Sequence, residues 1–273
     1  MIFDVLTLFP QIFASFLAES LLARAIAQKI VSVNLIDIRD YADGPRRICD
    51  DRPYGGGPGM VLKPEPIARA LDALLLKDAP PPTLVYLAPA GKLLTQSLAL
   101  SLSQKPRLIL LCGRYEGVDH RIVELYRPLR LSIGDYVLNG GEVPAMALIE
   151  CVARLRPGFL GEKLSAEDES FASGLLEAPP YTRPRMFRGL APPEILFSGN
   201  HAAIERYRDD VSRARTMAER PELLDPQASP AETAETLETP ETQEALAPSA
   251  PLEAGADGAA PGGPAGPSGL PKP

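Results

Sequence analysis

Short apolar runs alternate with stretches whose apolar residues recur every three or four positions over the first 132 residues. This rhythm limits the fold more than any other feature of the chain. Residues 2–8 read as a buried strand, and residues 31–38 as an alternating one. Between them, Pro10 opens helical material carrying Phe13, Phe16, Leu21, Leu22 and Ile26. Residues 64–75 place Ile67, Ala70, Leu71 and Leu74 on one helical face. Strands follow at 83–87, 108–112 and 129–132, with helices around 98–102 and 118–125. Such alternation predicts an α/β fold built on a mostly parallel, covered sheet.

In sheets of this kind ligands sit beyond the carboxyl ends of the strands. Three loops occupy such positions: Ala88-Pro89-Ala90-Gly91, Gly113-Arg114-Tyr115-Glu116-Gly117, and residues 133–141. Together they predict one pocket. The third loop belongs to the stretch Ser-Ile-Gly-Asp-Tyr-Val-Leu-Asn-Gly-Gly-Glu-Val-Pro at 132–144, which is expected to hold a buried carboxylate. Its glycines let the backbone approach a flat ring, and Pro144 suits the first turn of a helix. Residues 145–154 are apolar on nearly every side, through Met146, Leu148, Ile149, Cys151 and Val152, so that helix should be buried. No Gly-x-x-x-x-Gly-Lys-Ser/Thr occurs, and no Gly-x-Gly-x-x-Gly follows a strand. A phosphate-cradling loop and an ordinary dinucleotide site are therefore unsupported. A compact nucleoside held by backbone edges and by Tyr86, Tyr115 or Tyr136 stays open.

Residues 39–60 form a long segment with four glycines, two prolines, an arginine and a tyrosine in its last eleven positions. It reads either as a mobile lid or as a surface connection, and its mix of charge with an aromatic ring favours the lid.

Composition matters most at the far end. Residues 225–273 hold ten prolines, eight acids, one lysine and no aromatic side chain, the signature of a disordered tail. Removing it from the chain's 35 acids and 28 bases leaves 27 of each, so the formal charge of −7 belongs to the tail. Three scattered cysteines suggest neither a disulfide framework nor a zinc motif. Only His120 and His201 could serve a multi-histidine metal site, so no metal centre is expected. No apolar run has membrane-spanning length, and a cytoplasmic protein without a membrane partner is expected.

After Arg154, Pro157-Gly158 stops the helix, and the polar, acidic stretch from 161 to 174 reads as a linker. Residues 183–220 carry eight arginines against five acids. Within them, apolar residues at 204, 207, 211, 214 and 217 form a helical stripe, with Arg206, Arg213 and Arg220 on a flank away from it. That flank could contact phosphates, or it could be a salt-bridged surface.

Five motifs in order resemble one family: Asp50-Asp51-Arg52-Pro53-Tyr54-Gly55-Gly56-Gly57-Pro58-Gly59-Met60, Cys112-Gly113-Arg114-Tyr115-Glu116-Gly117, Ser132-Ile133-Gly134-Asp135-Tyr136-Val137-Leu138, Tyr181-Thr182-Arg183-Pro184 and Ser198-Gly199-Asn200-His201. They are similar to the bacterial tRNA (guanine-N1)-methyltransferases of the TrmD family, members of the SPOUT class, over residues 1 to about 224. The resemblance implies a SPOUT domain over 1–158 whose deep trefoil knot forms the S-adenosyl-L-methionine pocket. It further implies an interdomain linker over 159–174, a helical tRNA-binding domain over 175–224, and a homodimer with sites at its interface; Mg²⁺ could accompany the donor. The tail, 225–273, has no counterpart.

By resemblance the cofactor contacts are Tyr86, Leu87, Ala88, Pro89, Gly113, Tyr115, Glu116, Gly117, Ile133, Gly134, Asp135, Tyr136, Val137, Leu138, Gly140, Gly141 and Pro144. The implied reaction is methylation of N1 of the guanosine at position 37 of tRNA. N1 carries a proton, so a general base is needed, along with a cation for the charge left on O6. The resemblance makes Arg154 the cation, a role compatible with stabilising its helix's C-terminus. The family reads Glu-Asp-Ser-Phe where this chain reads Asp168-Glu169-Ser170-Phe171; register favours Glu169 as the base, with Asp168 the alternative. Substrate-side positions are Asp50, Arg52, Gly55, Gly59, Glu177, Ser198, Asn200 and His201. Two further departures lie there, since the family commonly has aspartate at Glu177 and histidine at Pro180. Competing readings are a non-catalytic RNA-binding module and a SPOUT methyltransferase for another nucleotide.

Overall fold

The computed structural model describes residues 1–76, 80–160, 170–171 and 174–224. The tail at 225–273 lies outside the described residues, as does most of the linker.

Five parallel strands make the central sheet: β1 (Ile2–Thr7), β2 (Ser32–Asp37), β5 (Thr83–Leu93), β6 (Arg107–Cys112) and β7 (Leu129–Ser132), in the order β2-β1-β6-β5-β7. The expected α/β architecture with a parallel, covered sheet is what is observed. β1 and β6 are central, and alternate residues feed two cores. On one face Phe3, Val5, Leu108 and Leu110 pack with α2 (Ser20–Ala27), α4 (Gln96–Ser103) and α6 (Glu142–Ala153). On the other, Leu6, Ile109 and Leu111 pack with α3 (Pro64–Leu75) and α5 (His120–Tyr126). Burial on both faces explains why the central strands are mainly apolar instead of alternating.

One polar knot of side chains interrupts this core. Arg107 Nε donates to Asp4 Oδ2 at 2.7 Å, with both side chains only 2% exposed. Asn34 donates to the other Asp4 oxygen at 2.8 Å, and an Arg107 Nη donates to the Leu74 carbonyl at 3.1 Å. The charges are therefore paired and hydrogen-bonded, the condition under which burial is tolerated.

Several elements depart from expectation. The helical segment after Pro10 breaks at Ser20, whose φ is +61°, separating α1 (Ala14–Ala18) from α2. β5 continues to Leu93: its register on β7 shifts between Leu87 and Lys92, both opposite Leu131, so the four intervening residues bulge out. A Cβ on Gly91 would overlap the Leu131 backbone there. The long 39–60 segment is not a free loop. It contains a 3₁₀ turn (Ile38–Tyr41) and leads into a hairpin in which β3 (Asp50–Asp51) pairs antiparallel with β4 (Val61–Leu62).

The last described α-helix, α7 (His201–Glu219), is followed by a 3₁₀ turn (Pro221–Leu224) and begins where the Asn200 side chain accepts from the Ala203 N–H at 3.1 Å. Its stripe differs from the expected one at the C-terminal end. Thr216 is buried while Ala214 and Met217 are exposed. The reason is polar docking: the Thr216 hydroxyl accepts from the Leu176 N–H at 2.9 Å and donates to the Ser212 carbonyl at 2.7 Å.

Candidate active site

The carboxyl ends of β5, β6 and β7 enclose a cavity of about 250 Å³. Its walls are the three loops expected from sequence. Tyr86, Leu87, Ala88 and Pro89 come from β5; Gly113, Tyr115, Glu116 and Gly117 follow β6. Ile133, Gly134, Tyr136, Val137, Leu138, Gly140, Gly141 and Pro144 follow β7. Among the expected cofactor contacts only Asp135 falls outside the lining; it is exposed.

Glycine is required here because chain lies on chain. The Gly141 N–H donates to the Gly113 carbonyl at 2.8 Å, and a Cβ on Gly141 would stand 2.7 Å from Cys112 Cα. Gly134, at φ +154°, leaves room for the Tyr136 ring, whose hydroxyl donates to the Ile133 carbonyl at 3.1 Å. Ser132 closes that turn: its hydroxyl donates to the Gly134 carbonyl at 3.0 Å and accepts the Gly134 N–H at 3.2 Å. Tyr86 packs edge-on against Gly113 and Gly117, and its hydroxyl accepts from the Val118 N–H at 3.4 Å. Burial raises the Tyr86 phenol above its ordinary value, so it remains a neutral wall with one polar tip.

Below the third loop sits the buried carboxylate, and it is Glu142 rather than Asp135. The Thr7 hydroxyl donates to Glu142 Oε1 at 2.7 Å, and Arg114 Nε stands 2.9 Å from Oε2. The Arg114 guanidinium also lies 4.5 Å above the Phe9 ring, which faces Arg39 at 5.1 Å. Arg114 and Asn139 line the cavity from within the expected loops, although neither is named among the individual contacts, and Leu131 and Ser132 line it from the end of β7. For Arg114 a signal existed: a glutamate opening an apolar helix needs a cation nearby.

Other expected residues lie elsewhere. Arg154 is the C-cap of α6 and does not line the cavity. It follows Pro144 by ten residues, roughly 15 Å along the helix axis. Glu169 and Asp168 lie outside the described residues. Asp50 sits in β3, while Arg52, Gly55 and Gly59 follow it in the hairpin. Gly59, at φ +84°, is covered by the Glu116 side chain, so the hairpin touches the cavity wall. Glu177 is exposed; its N–H donates to Ser170 Oγ at 3.1 Å, and its carbonyl accepts from Arg215 at 3.0 Å. Ser198, Asn200 and His201 gather at the start of α7, where the Ser198 hydroxyl accepts the Asn200 N–H at 3.2 Å. Of the expected arginine flank, all three members are exposed, and Arg220 is ion-paired with Glu222. Among the described residues no three His, Cys, Asp or Glu side chains gather to hold a metal, and no helix is long and apolar enough to cross a membrane.

A parallel sheet whose strand ends present backbone edges, glycines and tyrosines around a small cleft defines an α/β protein with a cleft where such sheets bind ligands. Comparison with known proteins sharpens the class. The sequence model described as "tRNA (Guanine-1)-methyltransferase TrmD" matches residues 1–226, and the chain belongs to that family. It is 49% identical over 225 residues to a tRNA (guanine-N(1)-)-methyltransferase of Desulforudis audaxviator, covering 82% of this chain and 90% of that protein. It is also 48% identical to the Ruminiclostridium cellulolyticum enzyme of that name, covering 82% and 96%, and 49% identical to the one from Rhodopirellula baltica, covering 81% and 93%.

Proposed function

We propose that the chain transfers a methyl group from S-adenosyl-L-methionine to N1 of the guanosine at position 37 of tRNA. One observation carries this reading: the loops that match the family are the loops that meet around the cavity. The cavity suits the adenosyl part of the donor. Backbone edges at 133–138, with Gly140 and Gly141 packed too closely on Arg114, Glu142 and Cys112 to carry a side chain, border a slot suited to a flat ring. When bound there, the donor supplies an electrophilic methyl group carried on a sulfonium.

The protein's own contribution is to orient the purine, remove its N1 proton and hold charge at O6. Glu169 is the base by register, with Asp168 beside it, and Arg154 faces O6. Arg154 stands at the far end of α6 from Pro144 in its own protomer. A homodimer in which the partner's α6 brings its C-terminal end to this cavity reconciles the two positions. The route of the chain supports a deep trefoil knot: from β7 at the sheet's edge it returns beside Gly113 and Arg114 of the central loop before entering α6.

In this reading residues 1–158 bind the donor and the partner subunit, 159–174 link, and 175–224 bind tRNA. Among the described residues no three His, Cys, Asp or Glu side chains gather, so this reading assigns no residue to a Mg²⁺ ion. The cytoplasm, where tRNA is found, is the proposed location.

Labelled donor incubated with a tRNA transcript bearing guanosine at position 37 should yield 1-methylguanosine at that position. Binding without transfer would favour an RNA-binding module, and a product at another nucleotide a different SPOUT activity.

A further inference from the structure

Tyr54 is the most exposed large hydrophobic side chain among the described residues, at 97%. It sits at the corner of a tight turn, Pro53-Tyr54-Gly55-Gly56, in which the Gly56 N–H donates to the Pro53 carbonyl at 3.3 Å. Gly55 follows at φ +80°, the left-handed position that glycine fills in such turns. A Cβ added to Gly55, Gly56 or Gly57 would meet nothing within 4 Å, so the tip stands clear of the body. The turn is thus built to present a ring that contributes nothing to the core.

The base of the same hairpin is fixed to the cavity wall. The Glu116 N–H donates to the Met60 carbonyl, the Leu62 N–H to the Gly117 carbonyl and the Asp119 N–H to the Leu62 carbonyl, each at 3.0 Å. The Glu116 side chain lies against Gly59. One loop therefore presents Tyr115 to the cavity and anchors the hairpin that carries Tyr54. A ligand reaching beyond the cavity on that side meets an aromatic face with Arg52 two residues away.

We propose that Tyr54 stacks on an unpaired base of the RNA substrate outside the methylated nucleotide, and so positions the RNA loop over the cavity. This rests on the tRNA methyltransferase reading above. The chemistry favours a base over a protein partner: a lone ring on a glycine turn offers one flat face and no apolar surround. Unstacked bases in RNA loops are held by such aromatic faces.

The test uses the full chain, with the donor's demethylated product S-adenosylhomocysteine in binding experiments. Tyr54→Ala should weaken tRNA binding and raise the KM for tRNA about tenfold, while kcat and donor affinity stay within twofold. That factor corresponds to about 1.4 kcal/mol, within the range for one base–aromatic stack. Tyr54→Phe should behave as wild type, because the face acts and not the hydroxyl. A scan of transcripts with single abasic sites in the anticodon loop should contain one at which wild type and Tyr54→Ala no longer differ.

Unchanged tRNA affinity in Tyr54→Ala, a Phe variant as impaired as Ala, a defect surviving every abasic site, or an altered subunit assembly would each overturn the assignment. A wild-type chain that binds no donor would instead defeat the functional reading, and the tRNA affinities would still judge the stack.

Discussion

Gly141 and Gly113 share a 2.8 Å backbone hydrogen bond that ties the loop after β7 to the loop after β6. With a Cβ at Gly141 due 2.7 Å from Cys112 Cα, only backbone could yield. Gly141→Ala should therefore cost about 1–3 kcal/mol of stability and most of the donor affinity. Gly113→Ala should be milder in stability, because the neighbouring Tyr86 ring is a side chain, 3.2 Å away, that can shift. Urea unfolding and donor titration measure both; equal stability losses would contradict the distinction.

The Asp4–Arg107 pair is almost fully buried on both sides. Arg107→Met leaves Asp4 charged and supported by Asn34 alone, and should cost about 3–5 kcal/mol. Replacing both, as Asp4→Leu with Arg107→Met, should recover part of that loss. The denaturation midpoints of the single and double variants decide it.

Stability should fall on the alkaline side. Burial raises the Cys112 thiol well above its ordinary 9.0, with the nearby Glu142 carboxylate adding to the effect, and burial raises the Tyr86 phenol above 10.0. Both native groups hold their protons after the unfolded chain has released its own. Their stabilisation is thus complete below about pH 9 and is lost as pH rises through the raised native values, by up to about 1.4 kcal/mol per unit for each group. Urea unfolding followed from pH 8 to 10.5 should show a shallower decline in Cys112→Ala than in wild type.

The catalytic assignment carries its own ranking. Glu169→Ala should lower kcat about 10²–10⁴-fold and Asp168→Ala far less. Single-turnover methyl transfer tests the order, and the reverse ranking would move the base to Asp168.

If Arg154 serves the partner's cavity, two inactive variants should complement each other. Gly134→Val crowds the Tyr136 side of the cavity, and Arg154→Ala removes the cation. Re-equilibrated equal mixtures should regain about a quarter of wild-type activity, since random pairing makes half the dimers mixed and each of these has one intact site. Activity no higher than in the separate variants would place Arg154 in its own subunit's site or outside catalysis.

Most of the cavity was legible because its residues are local. A strand end, a glycine and a tyrosine announce themselves within five positions, and the parallel sheet brings three such ends together. The hairpin at Asp50–Asp51 and Val61–Leu62 was not legible, because two-residue strands have no period to detect. The end of the α7 stripe was misread for a related reason. Thr216 is buried by a partner forty residues away, and apolar periodicity does not register a hydroxyl that hydrogen-bonds a backbone amide.

The sequence by itself determined the succession of the five sheet strands, the α/β class, and which loops would be backbone-rich enough to hold a flat ligand. These depend on periodicity and turn chemistry within a few residues. The tertiary structure decided that Glu142 finds Thr7 across 135 positions and that Asp4 finds Arg107 across 103. It also put Glu116 on Gly59. Each of these follows from which strands become neighbours, a choice made by burying two faces of one sheet at once rather than by any local run of residues.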